Sequence, residues 1–211
     1  GTLDLHLTLE KKIASFLRDV RVSERVLAVL RDDDGVEVRT GSGSQRFDRI
    51  VIATHADQAL EILADASPEE KADLAAIRYS RNETWLHQDS SLLPAPTIRS
   101  RASWNYRLAA CEGGADKVVV SYWMNRLQGL NDNQDHVVTL NAVEHVDPSK
   151  VTAKMTYWHP VFTTDAVEAA KRLRDAGGPR LAFAGAHLGW GFHEDGCRSG
   201  IEAAESFGVT W

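Results

Sequence analysis

The chain of 211 residues is 43% hydrophobic and 26% charged, with 15 Gly and 6 Pro, a composition that builds an ordinary folded core and excludes a disordered or fibrous chain. Its 24 Lys and Arg stand against 30 Asp and Glu, a net charge of −6, so no positive field exists to hold a phosphate backbone and no nucleic-acid partner is expected. The apolar runs fall far short of the ~20 residues that cross a bilayer, and Cys111 and Cys197 lie outside any CxxC pattern. No transmembrane segment, disulfide scaffold or zinc ribbon is therefore expected, and a reducing, cytoplasmic location fits.

Leu9, Ile13, Phe16 and Leu17 share one helical face, which predicts an amphipathic helix ending near Asp19. Strands are expected next, with Val20 and Val22 alternating with charged residues, then Val26 to Leu30. The polar tip Asp32-Asp33-Asp34-Gly35 turns the chain into Val36 and Val38, a hairpin whose Asp-Gly supplies the positive φ of a tight turn. After a Gly/Ser link, 41–44, the run Ile50 to Ala53 is apolar at every position, as in a parallel strand covered on both faces. Ser67-Pro68-Glu69-Glu70 is a helix start, with Ser at the N-cap, Pro at N1 and Glu at N3, leading into Leu74 and Ile77.

From Glu83 to Tyr157 the texture changes. Thr84 to His87, Ala102 to Arg107, Lys117 to Met124, Val137 to Leu140 and Val151 to Trp158 read as short strands of an antiparallel sheet. Asp165 to Ala176 returns to helix, stopped by Gly177-Gly178, and Pro179 to Ala184 is a buried strand. The ends are thus α/β and the middle β-rich, an α+β chain with the middle inserted into the first domain.

The densest signal is the stretch from Leu181 to Glu205. A hydrophobic strand ends at Gly185, a loop with Gly189, Gly191 and Gly196 follows, and Asp195 can cap a helix whose Ile201, Ala203 and Ala204 face inward. Glycine inside a helix costs about 0.5–1 kcal/mol against Ala, so Gly196 and Gly200 point to close approach. Glycines at a strand end, followed by free N–H groups at a helix start, suit either a bound polar ligand or tight packing of helix on sheet.

This segment resembles the C-terminal FAD-binding motif of the flavin-containing amine oxidase superfamily, which includes protoporphyrinogen oxidases and phytoene desaturases. Its pattern stands here as Ala184-Gly185, the glycine loop, then Ser199-Gly200 and Ala203-Ala204. Asp48 to His55 resembles the family's strand leading to an Ala-Thr turn, and Glu24 to Val38 the preceding hairpin. Ser103 to Tyr106, Tyr122 to Asn125 and Trp158-His159-Pro160 are similar to a bacterial subgroup of predicted NAD/FAD-binding proteins. The resemblance implies a partial FAD-binding Rossmann-like domain with an inserted β-rich substrate domain. FAD-binding pieces are implied at 1–55 and 178–211 and the substrate domain at 56–177.

The resemblance further implies an FAD-dependent oxidoreductase moving a hydride from a C–N or C–C bond to the flavin, on a small-molecule amine or an apolar acyl or polyene substrate. Val26 main chain would meet the adenine, and Ala53 and Thr54 would line the cofactor cleft. Gly185, His187, Gly191, Asp195 and Gly196 would face the ribityl and pyrophosphate region, with Phe192 beside the flavin ring. Many family members carry an acidic residue where this chain has Ala186-His187, and no GxGxxG occurs in the 211 residues. The chain, which starts at Gly1, therefore reads as a C-terminal fragment missing an N-terminal FAD-binding segment, with weak FAD binding or none on its own and no turnover. A non-catalytic ligand-binding or interaction module retaining the fold is the alternative.

His187, His193, Glu194 and Asp195 are metal-ligand types, yet adjacent on a loop they read as a cap with solvated charges, and no metal is expected. Asn131 to Asp135 lacks the Gly and Glu of a calcium loop and reads as a turn. Cys197 has no defined orienting group to make it a nucleophile. The aromatics of the middle read mainly as core, while His87, Trp104, Asn105, Tyr106, Trp123 and His159 are the candidates for substrate contacts. No catalytic residue can be named.

Overall fold

The computed structural model describes residues 19–95, 101–107, 119–141 and 143–210. The helix predicted from Leu9 to Asp19 lies outside the described residues except for its last position, and so does Cys111.

A three-stranded antiparallel meander comes first, made of β1 (Val26–Asp32), β2 (Gly35–Thr40) and β3 (Gly43–Phe47). The predicted hairpin is present, with Asp32 opposite Gly35. Gly35 has φ +155°, and a Cβ there would come within 2.5 Å of the Phe47 carbonyl oxygen, so only glycine fits. Two expectations fail here. Val20 and Val22 are exposed and outside any strand, because nothing pairs with them, and part of the Gly/Ser link is not a link, since Gly43 and Ser44 begin β3.

Then follow β4 (Ile50–Ile52), α1 (Ala56–Ile62) and α2 (Pro68–Ala76). The helix start read from sequence is formed, with Ser67 Oγ accepting the Glu70 amide while Glu70 accepts the Ser67 amide. The five predicted strands of the middle all appear: β5 (Tyr79–His87), β6 (Trp104–Arg107), β7 (Val119–Trp123), β8 (Val137–Leu140) and β9 (Val151–Pro160). A short helix, α3 (Met124–Leu127), takes the Met124 that was expected to end β7. The sheet runs β6-β7-β8-β5-β9, and its β6–β7, β7–β8 and β8–β5 pairs are antiparallel. The chain closes with α4 (Thr164–Asp175), β10 (Leu181–Phe183), a 3₁₀ turn (Ala186–Leu188) and α5 (His193–Ser206).

Two compact units result. Among the described residues one holds 81–158 and the other 19–80 with 159–210. The reason is packing: α1, α2 and α4 bury Ala56, Ala59, Leu74, Ala169 and Leu173 in the same core as Val29, Ile52, Leu181 and Phe183. Arg172 clamps Asp73 with both donor groups, Nη2 at 2.6 Å and Nε at 2.9 Å, pinning α4 to α2. Arg31 of β1 similarly grips Glu70 bidentately at 2.6 and 2.7 Å and Asp65 through Nε at 2.8 Å.

In this second unit β4 and β10 pair in parallel, Ile50 with Leu181 and Ile52 with Phe183. β10 is buried at every position, Ala182 packing on Ala203 of α5 while Leu181 and Phe183 face the main core. β4 is covered on one face only, for Val51 remains 42% exposed. The continuous apolar run identified a strand of the parallel pair, but not two-sided cover.

Candidate functional site

In a parallel pair both strands deliver their following turns to the same edge. Open α/β sheets bind ligands outside these carboxyl ends, where backbone groups and loop side chains converge without filling the space. Here β4 releases Ala53-Thr54-His55 into α1, and β10 releases Gly185-Ala186-His187 into the glycine loop and α5. The residues proposed from sequence for the cofactor therefore gather at one edge of one unit, except Val26.

Ala53 and Thr54 are both exposed, so small groups leave that edge open. The Gly185 amide donates to Ser199 Oγ at 2.9 Å, and Ser199 Oγ in turn donates to the Gly196 carbonyl at 2.9 Å, tying α5 back onto the strand end. Gly185 has φ +153°, and a Cβ there would lie 2.5 Å from Cε1 of His187. A Cβ at Gly196 would stand 3.8 Å from the Ala186 amide nitrogen, an ordinary contact, so the close approach read into this glycine is not required. Gly200 faces open space, so the close approach read into it is absent.

Asp195 is buried and, contrary to expectation, does not cap α5 from the N-cap position. The helix starts two residues earlier, at His193, with Phe192 as N-cap, and Asp195 sits at N3. Its Oδ2 accepts the amides of Trp190 and Phe192 at 3.1 and 3.0 Å, its Oδ1 accepts from Arg198 at 2.8 Å, and Gly189 leaves room for the carboxylate. With Glu194 and Asp195 in its first turn, the start of α5 repels anions. It suits a neutral ring or polyol better than a pyrophosphate. Ile201 proves exposed, and the buried face of α5 is Asp195, Ser199 and Ala203, because those positions meet the loop and β10. Phe192 is 53% exposed beside this edge and Trp190 63%, the Trp190 ring lying 5.9 Å from that of Phe162. Gly191 lies between them and packs on Phe162.

His187 is buried to 8% exposure, and burial, reinforced by the charge of His55, pushes its pKa down to about 4. His55 stacks on Tyr79 with ring centroids 4.2 Å apart, and the Tyr79 hydroxyl accepts the Ala56 amide at 3.0 Å. His159 also lies in this unit, its pKa lowered by burial and then by His55. Tyr79 and Ser199 went unrecognised as contributors, although Ser199 was visible in the Ser-Gly pair. Tyr79 carried no sequence signal, because only folding brings it under the β4 turn. No group of three or more His, Cys, Asp or Glu among the described residues could hold a metal.

Val26 stands apart, opening β1 where the register with β2 shifts, on the wall of a wide cleft of about 1010 Å³ that also includes Glu24, Thr40 and Phe47.

The other substrate candidates sit in the first unit, and three of them are structural. His87 is fully buried, and its Nδ1 accepts the Asp89 amide at 3.1 Å, so the ring proton is on Nε2 and donates to Thr139 Oγ1 at 2.8 Å. Thr139 continues to Ser121 Oγ at 2.9 Å, a buried chain across three strands that leaves His87 nothing to offer a substrate. Asn105 bonds the Ala102 and Ser121 carbonyls, and the Trp123 indole donates to Asp135 at 2.9 Å. Trp104 and Tyr106 are exposed and share a sheet face with Tyr122 and Val138, the one apolar surface of this unit that these candidates present.

Residues 8–84 match the model of a family described as flavin containing amine oxidoreductase. The fold is similar to that of a putative protoporphyrinogen oxidase from Exiguobacterium sp. 255-15, at 14% identity and TM-score 0.55, covering 97% of this chain and 51% of that one. The family's pattern is thus present in residues 8–84, and the chain shares the fold of that oxidase. It is also similar in fold to cyclohexylamine oxidase from Brevibacterium oxydans IH-35A, at 17% identity and TM-score 0.55, covering 87% of this chain and 47% of the other. A fatty acid isomerase from P. acnes that produces CLA gives 16% identity and TM-score 0.57, over 88% and 48%. The chain thus spans about half the length of these solved structures. No curated protein matches the sequence. Among the described residues no helix is long and apolar enough to cross a membrane.

Proposed function

We propose that this chain contributes to an FAD-dependent oxidoreductase of amine oxidase type that takes a hydride from a C–N or C–C bond of an amine or an apolar acyl or polyene substrate. When bound, the flavin supplies the redox chemistry, and the chain's residues bind, orient and exclude water. The observation that carries the reading is the common carboxyl edge of β4 and β10, open at Ala53 and Thr54 and narrowed to backbone at Gly185.

At this edge Ala53, Thr54, Gly185 and Gly196 would allow the ribityl chain to lie against backbone, with Gly191 and Phe192 beside the ring. The carboxylates of the first turn of α5 favour these neutral parts of the cofactor, and Asp195 holds the loop amides of Trp190 and Phe192 in place. Val26 would meet the adenine through its main chain. Phe192 and Trp190 present apolar surface that keeps water from the reacting carbon. His187, held neutral at pH 7, orients the turn without adding charge. Trp104 and Tyr106 are the side chains offered for apolar substrate contact.

The test is to purify the natural gene product and examine its visible absorption, with the released cofactor identified by chromatography. The reading expects flavin bands from FAD, and a Phe192→Ala variant with altered band shape and weakened retention. A flavin-free protein that also takes up none on addition of FAD overturns it.

A further inference from the structure

A separate cavity of about 160 Å³ lies in the second unit, between α4, the 3₁₀ turn and the segment after β9. Its walls are apolar, Ile77, Ala166, Ala170 and Leu188, and its aromatic side is Phe162 with Trp190. Two features are unusual for a packing defect. His187 lines the cavity at 8% exposure, and neither ring nitrogen makes a hydrogen bond to any described residue. Its ring nitrogens are not among the sealed, unsatisfied atoms of the described residues, so they reach open space, and a polar group without a protein partner at a cavity wall is available to an occupant. Lys171 and Arg174 also line the cavity, and no acidic residue does. Lys171 is already paired with Glu168 at 2.7 Å, whereas Arg174 spends one group on the Leu188 carbonyl at 2.5 Å and keeps further donors.

Size, polarity and charge together choose the occupant. A cavity of about 150 Å³ accepts a benzene-sized molecule. Cationic lining without a carboxylate disfavours a protonated amine and favours an anion. A flat ring is held by Phe162 and Trp190, and a single hydrogen-bonding group is met by His187. We propose that this cavity binds a small aromatic carboxylate, its ring among Leu188, Ala170 and Trp190 and its carboxylate served by Arg174 and His187. The inference does not depend on the flavin reading, although Trp190 and His187 also border the edge proposed for the cofactor.

The experiment is a titration of the 211-residue chain, without flavin, with benzoate and with benzylamine, followed by calorimetry and tryptophan fluorescence. Saturable 1:1 benzoate binding with Kd on the order of 1 mM or tighter is expected for so small a ligand. Benzylamine should bind at least tenfold more weakly. Ala170→Leu, which fills the cavity, should abolish binding, and Arg174→Gln should weaken benzoate at least tenfold. Trp190→Ala, at an exposed side chain that leaves the core intact, should weaken it at least fivefold, and it carries the test if Ala170→Leu does not fold. Absent or unsaturable benzoate binding overturns the proposal, as does equal affinity for benzylamine or benzoate affinity unchanged in these variants.

Discussion

Replacing His187 by Gln tests whether a buried, neutral imidazole really sits behind Gly185. An unfolded chain titrates this His near its ordinary value of about 6.5, while in the fold burial and the charge of His55 hold it at about 4. Below about pH 6.5 the unfolded state therefore binds a proton that the native state refuses, so stability is intact above that pH and is lost as pH falls towards 4. The full difference is about 3 kcal/mol at 1.36 kcal/mol per pH unit, of which about 1.3 kcal/mol appears between pH 7.5 and 5.5. Urea unfolding should be followed by the helical far-ultraviolet signal, because α1, α2, α4 and α5 all belong to the unit that holds His187. His87 and His159, also lowered by burial, contribute equally to both proteins and cancel in the difference. The wild type should lose about 1.3 kcal/mol more than His187→Gln over that interval. Parallel pH profiles for the two proteins would refute the burial argument.

Arg31→Met strands the carboxylates of Glu70 and Asp65 in a largely buried site, and a loss of about 3–5 kcal/mol in urea unfolding is expected. Arg31 keeps the Glu70 carboxyl below its usual range, so in the wild type this contribution is present at neutral pH and disappears as pH falls through that lowered value. Gly185→Ala forces a side chain into φ +153° and against His187, costing at least about 1–3 kcal/mol from the backbone alone, read as a lowered urea midpoint. Ser67→Ala removes the cap of α2 and should cost about 1 kcal/mol, whereas Ser67→Asp should retain most of the stability.

Local chemistry made several elements legible. Ser67-Pro68-Glu69-Glu70 encodes its own cap, Asp32 to Gly35 its own turn, and the strands of the middle their alternation, because each depends on neighbours within a few residues. The two strand-ending blocks at Ala53-Thr54 and Ala184-Gly185 were equally visible, as apolar runs closing on small residues. The sequence could not show that β4 and β10 would be parallel neighbours, since some 130 residues separate them and their pairing is decided by the core they share. His87 illustrates the same limit from the other side. As a residue type it suggested chemistry, but Thr139 and the Asp89 amide consume both nitrogens.

Length and composition thus determined that the chain folds, lacks a field for nucleic acid and has an α/β frame around a β-rich middle. Motif order pointed to the flavin amine oxidases, whose family model matches residues 8–84. Tertiary structure alone decided that α1, α2 and α4 pack with the parallel strands, that Asp195 anchors a loop from inside the helix, and that His187 is buried. Propensity, caps and turns are short-range, whereas burial, ion pairing and the state of a proton depend on which distant segments close over a residue.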